Sequence, residues 1–363
     1  PFPSFPPLFV RSGLPPGPGE KLSLSLRFKA YNKAMSNEQG IIFPAGRAYP
    51  EVPESRGGKE HDMYTITGAT GNIGSRVADI LLARGEKVRL ISRDAARLQG
   101  FVERGAEPAI GDLLDVKFLT KAFAGAKAVF ALIPPNYTAR DFRAYQNIVG
   151  NSIATAIDAA GVTHVVNLSS QGADLPRGTG PILGLREQEE RLNGLRGVNV
   201  LHLRPTYFME NLLGNIPLIH ERRIAGSAVR GDLRFAMIAT RDIADRAARA
   251  LLERDFSGIS YRDLLGQRDL TLQEAFTIIG RRIGISDLAY VQFSYDDAAK
   301  GMIDMGISPN ASSLFIEMSK ALNAGLFAVN RPRTAENSSP TTIEEFAEIF
   351  AVAFSRAALR KAS

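Results

Sequence analysis

The 363-residue chain contains no cysteine and no tryptophan, and only four histidines. Without cysteine it can form neither a disulfide nor a thiolate nucleophile, which fits a reducing compartment and a cytoplasmic location. His61, His164, His202 and His220 have no metal-ligand spacing to one another, so we expect no metal site. No apolar run approaches the roughly 20 residues of a transmembrane helix, so we expect no membrane segment.

A strong excess of one charge is also missing. The net charge is +6, and no basic run or basic helix face is present, which argues against nucleic-acid binding. A mild excess of base suits a phosphorylated small molecule. Apolar residues make up 45% of the chain and charged residues 23%, as in an ordinary globular protein. The length allows one large α/β domain or two smaller ones.

Residues 1–62 differ from the rest of the chain. They hold ten of the twenty prolines and show no sustained helical or strand period. We expect a disordered or non-native N-terminal extension here, with Met35 and Met63 as candidate starts. A transit peptide is the alternative, which the lack of acidic residues before Glu20 favours and the prolines oppose.

A strand, a glycine-rich turn and a helix follow this extension. The β-forming residues 64–66 lead into the run TGATGNIGS at 67–75, and apolar residues at helical spacing come next. In a dinucleotide site the first glycine allows a sharp turn, the second leaves room for a pyrophosphate, and the third lets the helix approach the strand. We expect these roles for Gly68, Gly71 and Gly74, with the helix N–H groups facing the phosphates. The alternative is a βα turn whose glycines occur by chance.

Buried strands then alternate with helices, a pattern that predicts a parallel sheet. We predict the α/β class, with a doubly wound parallel sheet (Rossmann fold) in an NAD(P)-binding domain of residues 63–211. Right-handed crossovers place the strand ends along one edge, where ligands bind in open α/β folds. The alternation loosens in residues 212–363, where we expect a smaller C-terminal α/β region. It would bind substrate as a lid, or serve as a plain structural cap.

Two helix starts are explicit in this later part. Thr240-Arg241-Asp242 is expected to cap a helix that reaches Leu252. Thr342 and Glu345 are expected to form a capping box at the start of the last helix. Further helices are predicted near residues 271–283, 294–305 and 312–323.

Several segments of the chain together carry a resemblance to a known family. They are the glycine run, Arg93, Gly111-Asp112, Ser169-Ser170, Leu203-Arg204-Pro205 with Phe208-Met209-Glu210-Asn211, Thr240-Arg241-Asp242-Ile243 and Thr341-Thr342-Ile343-Glu344-Glu345-Phe346. Together they resemble the NmrA-like family of atypical short-chain dehydrogenase/reductase proteins, over about residues 63–350. The family includes NAD(P)H:quinone reductases and redox sensors.

The resemblance implies where cofactor and substrate bind. Asp112 would contact adenine, and Phe208, Met209 and Asn211 would flank the nicotinamide. The alternatives are a turn-forming role for Asp112 and core packing for the others. The expected cofactor-binding residues are Gly68, Thr70, Gly71, Asn72, Ile73, Arg93, Asp112, Leu113, Leu132, Ile133, Pro134, Ser169, Phe208 and Asn211. The expected substrate-binding residues are Tyr137, Phe208 and Met209.

Arg93 bears on the choice of cofactor. An NAD site places Asp or Glu near the end of the second strand, where it accepts from the ribose 2′-hydroxyl. Here Arg93 occupies that place and Asp94 comes one residue later. Because a guanidinium can pair with a 2′-phosphate, we expect NADPH rather than NADH. The alternative is that Arg93 begins a solvated loop while Asp94 caps the next helix.

Catalytic residues are not evident from the sequence. Typical short-chain dehydrogenases combine a serine with a tyrosine and with a lysine four residues after it. Ser169 and Ser170 follow the corresponding strand, but no tyrosine of this chain has a lysine four residues on. We therefore expect an NADPH-binding oxidoreductase that passes a hydride to a small electrophile such as a quinone, whose reduced oxygens can take protons from water. The alternative is a non-catalytic NADP(H) sensor that acts through a protein partner, and a homodimer is left open.

Overall fold

The computed structural model describes residues 62–327 and 332–362. The expected N-terminal extension, apart from Asp62, lies outside these residues. The strands are β1 (Met63–Ile66), β2 (Lys87–Ser92), β3 (Glu107–Ile110), β4 (Ala126–Ala131), β5 (His164–Leu168), β6 (Asn199–Pro205), β7 (Tyr207–Phe208), β8 (Ile224–Ser227), β9 (Phe235–Ile238), β10 (Ile259–Leu264), β11 (Asp269–Leu270) and β12 (Ala289–Gln292). The α-helices are α1 (Asn72–Ala83), α2 (Gln99–Val102), α3 (Val116–Phe123), α4 (Phe142–Ala159), α5 (Ile182–Asn193), α6 (Ile216–Arg222), α7 (Thr240–Glu253), α8 (Leu272–Arg282), α9 (Tyr295–Asp304), α10 (Pro309–Asn323) and α11 (Ile343–Ala362).

Within the described ranges, seven strands form one parallel sheet in the order β10-β6-β5-β4-β1-β2-β3. The chain runs outward from β1 through β2 and β3, then continues with β4 on the other side of β1. The strand order therefore reverses between β1 and β4, as in the doubly wound α/β fold predicted from the sequence. The seven strands end along one edge, and open α/β folds bind ligands at the point of this edge where the strand order reverses.

Helices cover both faces of the sheet because both faces are apolar. On one face Tyr64 and Ile66 pack with residues of α1 and α7, among them Val77 and Ile243. On the opposite face Val129 packs with residues of α3, α4 and α5. Strands buried on both faces appear in the sequence as unbroken apolar runs, which is why β4 was predictable.

The sheet extends past the expected domain boundary at Asn211. Its edge strand β10 pairs in parallel with β6, from Ile259 opposite Val200 to Leu264 opposite Pro205. Helix α7 also lies beyond residue 211, and it packs in the same apolar core as α1. The boundary at 211 therefore does not coincide with the limit of the sheet.

The C-terminal region has its own apolar core and two small sheets, ordered β11-β9-β7 and β12-β8. The core joins α6, α8 and α11 and contains Phe276, Phe346 and Phe350, all fully buried. The sequence predicted α8 to α11 within a few residues, but it did not predict α6, β7, β8, β11 or β12. Strands of two to four residues carry too few positions for an alternating pattern, and their pairing depends on distant partners.

The two predicted helix starts differ in outcome. Thr342 and Glu345 form the expected capping box, in which the N–H of each donates to the side chain of the other at 3.0 and 3.1 Å. At α7 the predicted helix through Leu252 is confirmed but the predicted cap is wrong, because Ala239 is the N-cap and Thr240 is the first helical residue. The N–H and the hydroxyl of Thr240 both donate to Glu210, which supplies the cap from 30 residues away.

Candidate dinucleotide-binding site

The glycine turn between β1 and α1 has the shape that a close ligand requires. Gly68 has φ +63°, and a Cβ there would lie 2.8 Å from the Leu132 side chain. A Cβ on Gly74 would overlap the carbonyl oxygen of Gly68, so this glycine allows α1 to approach the turn. A Cβ on Gly71 would meet protein at an ordinary 3.4 Å. The protein's own packing therefore leaves room for a Cβ at position 71, so the fold itself does not require a glycine there.

Helix α1 begins without a side-chain cap. Its N-cap is Gly71, which has extended backbone. Side chains do cap α3, α4, α8, α9 and α10, and the capping residues are Asp115, Asp141, Thr271, Ser294 and Ser308. No capping side chain competes for the N–H groups in the first turn of α1. The positive end of its dipole suits a diphosphate.

Thr67 ties the glycine turn to the neighbouring strand. Its buried hydroxyl oxygen accepts from the Leu132 N–H at 2.8 Å, and its own N–H donates to the Phe130 carbonyl at 3.0 Å. These bonds join the ends of β1 and β4 where the strand order reverses. Leu132 and Pro134 are partly exposed, whereas Ile133 is buried in the core.

Two arginines follow β2. Arg93 is exposed directly after the strand. The carboxylate of Asp94 accepts from the Ala96 N–H at 3.0 Å, so it closes a local turn. Arg97 donates from Nη2 to the Thr70 carbonyl oxygen at 3.1 Å and so lies against the glycine turn. Sequence analysis missed Arg97, for which the one available signal was a second positive charge four residues after Arg93.

Asp112 and Leu113 lie beyond β3. Asp112 is exposed, and its carboxylate accepts from the Leu114 N–H at 3.0 Å, which is a turn-forming role. Leu113 packs against the core under α3 and α4. Burial raises the pKa of Tyr145 in α4, and the charges of Arg93 and Asp112 lower and raise it respectively. The expected residues Arg93 and Asp112 therefore act electrostatically on one phenol at this end of the sheet.

Ser169 directly follows β5 and lies beside a buried ion pair. The hydroxyl of Ser169, which is 2% exposed, donates to Oε1 of Glu189 in α5 at 2.5 Å. Arg204 donates to both Glu189 oxygens, from Nε at 2.9 Å and from Nη2 at 2.5 Å. Burial lowers the pKa of Arg204, but the hydrogen bonds and charge of Glu189 outweigh this and leave it raised. Arg204 is part of a family landmark in the sequence, whereas the role of Glu189 was not predicted.

An aromatic cluster follows β4, where the C-terminal region meets the sheet. The Tyr137 ring centre lies 6.4 Å from that of Phe142 and 5.8 Å from that of Phe315 in α10. The Tyr137 carbonyl accepts from the Ser308 N–H at 2.8 Å. Burial raises the pKa of Tyr137, so its phenol stays protonated. This expected substrate residue thus lies between the strand ends and α10.

The loop after β5 is also held by the C-terminal region. The Gln171 side-chain amide donates to the Phe327 carbonyl. The Phe327 ring takes the space that a Cβ on Gly172 would need, and a Cβ on Gly180 would overlap the Leu314 carbonyl oxygen of α10. These glycines allow α10 and the residues after it to lie directly on the loop.

The segment after β6 divides into buried and accessible side chains. Phe208 is partly buried against the sheet core, and Asn211 is exposed. Met209 is 1% exposed and packs inside the C-terminal core, which is the packing role that stood as the alternative to a substrate contact. Burial raises the pKa of Glu210 to about 7, against the hydrogen bonds from Thr240 that lower it. Glu210 belongs to a family landmark in the sequence, but its role as the cap of α7 could not be predicted because Thr240 lies 30 residues away.

His202 and possible metal ligands were the remaining candidates for acid, base or metal chemistry. His202 is fully buried between Asn167 and Asn193, and burial lowers its pKa to about 4, so it is a packed core residue. Residues 62–327 and 332–362 contain no group of three or more His, Asp or Glu that could hold a metal ion. Over the same ranges, no helix is both long and apolar enough to cross a membrane.

Known proteins share this architecture. An NAD(P)H azoreductase from Xenophilus azovorans is 27% identical over 299 residues, which are 81% of this chain and 100% of the azoreductase. An NADPH-dependent quinone oxidoreductase from Escherichia coli has a TM-score of 0.65 at 23% identity, over 79% of this chain and 98% of its own. The Citrobacter sp. triphenylmethane reductase complexed with NADP(H) has a TM-score of 0.63 at 18% identity, over 79% of this chain and 99% of its own. At these identities the two structures establish the fold alone.

The sequence profile of the NmrA-like family matches residues 60–347. This range includes the glycine turn, the segment after β6 and both later landmarks that carried the resemblance. It also spans far more than half of the chain. The chain therefore belongs to the NmrA-like family.

Proposed function

We propose that this protein is an NADPH-dependent reductase that passes a hydride to a small electrophile such as a quinone. The observation that carries the proposal is the glycine turn, where α1 begins without a cap and position 71 has room that the protein does not use. The azoreductase, the quinone oxidoreductase and the triphenylmethane reductase support the same class of chemistry.

The chain offers groups for each part of NADPH. Residues 68–73 would hold the diphosphate, Arg93 together with Arg97 would bind the 2′-phosphate, and Asp112 and Leu113 would form the adenine side. The residues at the middle and the nicotinamide end are Leu132, Ile133, Pro134, Ser169, Phe208 and Asn211. When bound, NADPH supplies the hydride, and its 2′-phosphate explains two guanidinium groups after β2.

The remaining task of the chain is to bind the acceptor and exclude water. Tyr137 and Phe315 provide aromatic walls where α10 meets the strand ends. The missing tyrosine and lysine pair argues against alcohol and ketone substrates. A quinone needs no such pair, because its reduced oxygens can take protons from water.

Turnover tests this proposal. We would mix the purified protein with NADPH and a panel of quinones, an azo dye and a triphenylmethane dye, and follow the loss of NADPH absorbance. The proposal predicts a rate above the enzyme-free control with at least one acceptor. Tight NADPH binding without turnover of any acceptor would contradict the reductase and favour the sensor. Absence of NADPH binding would contradict both.

A further inference from the structure

The single hydroxyl hydrogen of Ser169 is already committed to Glu189. Ser169 and Glu189 are 2% and 3% exposed, and the hydroxyl donates to Oε1 at 2.5 Å. A serine hydroxyl has one hydrogen to donate and can still accept through its oxygen. Ser169 therefore meets any additional partner as a hydrogen-bond acceptor.

Arg204 prevents Glu189 from reversing this bond. Its guanidinium donates to both carboxylate oxygens, at 2.9 and 2.5 Å, and lies 4.3 Å from the ring centre of Tyr261 in β10. The Tyr261 hydroxyl in turn accepts from the Asn193 amide of α5 at 2.9 Å. A carboxylate bound by a guanidinium in this bidentate way accepts hydrogen bonds and has no proton to donate. The direction of the bond from Ser169 to Glu189 is therefore fixed by groups on three elements.

Ser169 lies at the end of β5, among the residues that would flank the nicotinamide. The carboxamide –NH₂ of the nicotinamide ring carries the N–H donors at that end of NADPH. We propose that Glu189, held by Arg204, is a positioning residue that orients the Ser169 hydroxyl to accept from this carboxamide. The inference rests on the proposed NADPH site and adds to it the orientation of the ring.

A cofactor analogue isolates this contact from overall stability. In the acetylpyridine analogue of NADP⁺, a methyl group replaces the carboxamide –NH₂ and the carbonyl is kept. We would measure the Kd of both dinucleotides with the full chain by isothermal titration calorimetry. The parent protein should bind NADP⁺ tighter than the analogue by about three- to tenfold, as one hydrogen bond gives.

The quantity to compare is the Kd of the analogue divided by the Kd of NADP⁺. In variants at Ser169 and Glu189 this ratio should fall close to one. Ser169→Ala removes the acceptor. Glu189→Gln presents an amide N–H to Ser169, so that the hydroxyl can donate to the carbonyl that both dinucleotides share. Glu189→Asp keeps a carboxylate for Arg204, but the shorter side chain moves this carboxylate away from Ser169. This substitution serves as the second variant if Glu189→Gln does not fold.

The matched control is Glu190→Gln, at the exposed neighbour that pairs with Arg186, and it should keep the ratio of the parent. If Glu189 had only a structural role, its replacement would weaken the binding of both dinucleotides equally and leave the ratio unchanged. A parent ratio of one, or an unchanged ratio in Ser169→Ala or in the folded Glu189 variants, overturns the inference while the NADPH site stands. Failure of the parent to bind either dinucleotide overturns the proposed function itself.

Discussion

Gly68, Gly71 and Gly74 are glycine for three different reasons within one turn. Gly68 has a left-handed backbone and touches Leu132, and Gly74 has no space for a Cβ beside the Gly68 carbonyl. Side chains at these two positions would strain the fold. Gly71 has neither constraint, so a side chain there affects what binds at the turn more than the fold itself.

The two arginines after β2 lead to a prediction about cofactor preference. Replacing Arg93 with Ala should raise the Kd for NADPH by roughly 10- to 100-fold, because a charged hydrogen-bond partner of the 2′-phosphate is lost. The Kd for NADH, which lacks that phosphate, should change little. Titration calorimetry with both cofactors measures this. Arg196→Ala, an exposed arginine before the amino end of β6, is the control and should change neither. Equal effects on NADPH and NADH would count against the assignment.

Glu210 predicts a pH dependence of stability. Burial raises its pKa from 4.5 to about 7 in the folded protein, so the folded state holds an extra proton between these pH values. The free energy of unfolding should therefore fall as pH rises from 4.5 to about 7, by on the order of 3 kcal/mol for this group. Urea unfolding of the parent and of Glu210→Gln across this range measures the contribution, which the variant should lack. Exposed Glu103→Gln is the control, and equal pH slopes in parent and Glu210→Gln would refute the assignment.

Glu189 and Glu210 also show what local sequence does not reveal about the site. A glutamate in a polar run such as 186–191 looks like part of a solvated helix face. Its burial depends on partners 15 and 20 residues away, Arg204 and Ser169. The cap from Glu210 to Thr240 likewise spans 30 residues. The glycine turn was predictable because its three glycines, the strand before them and the helix after them lie in one short stretch of sequence.

At the scale of elements, the first turn of α7 joins three parts of the chain. Thr240 binds Glu210 beyond β6, and Asp242 accepts from Thr341 before α11, from the N–H at 3.1 Å and from the hydroxyl at 2.7 Å. Arg241 also donates to the Thr341 hydroxyl oxygen at 2.7 Å. The family landmarks at residues 240–243 and 341–346 therefore bind each other. We call this contact, formed by Arg241, Asp242 and Thr341, the joint between the sheet and the last helix.

This joint predicts a stability effect. Thr341→Val keeps the shape of the side chain but removes the hydroxyl, and it leaves buried Asp242 with one donor fewer. The free energy of unfolding should fall by about 1–3 kcal/mol. Urea unfolding measures it, with Thr155→Val on the exposed face of α4 as a control of the same chemistry. Equal unfolding midpoints for Thr341→Val and the parent would exclude a contribution from the joint.

At the scale of the whole molecule, the alternation of strands and helices predicted the fold class and the common edge of strand ends. It did not predict that β10 completes the sheet, because a lone strand after a loosened pattern gives no sign of its partner. The packing of α7 against α1 was not predicted either, because nothing in the sequence of α7 identifies the helix that it contacts. The sheet and its core therefore extend past the expected boundary at 211, because residues on either side of that boundary are in contact.

The position of β10 and α7 predicts how a shortened chain behaves. A fragment of residues 63–211 leaves the edge of β6 unpaired and the apolar face of α1 uncovered. It should show no cooperative urea transition by circular dichroism and no NADPH binding, whereas residues 63–363 should show both. A cooperative transition of the fragment at the midpoint of the longer chain would contradict this account.

The central claim is that the main-chain amides between Gly68 and Ser75 hold a diphosphate, and Gly71→Asp tests it most directly. Aspartate is a good N-cap, and a Cβ fits at position 71, so the free energy of unfolding should be equal to the parent value or a few tenths of a kcal/mol higher. The same carboxylate occupies the phosphate space with a negative charge, so the Kd for NADPH should rise at least about 100-fold. A folded Gly71→Asp protein that binds NADPH as tightly as the parent would contradict the claim.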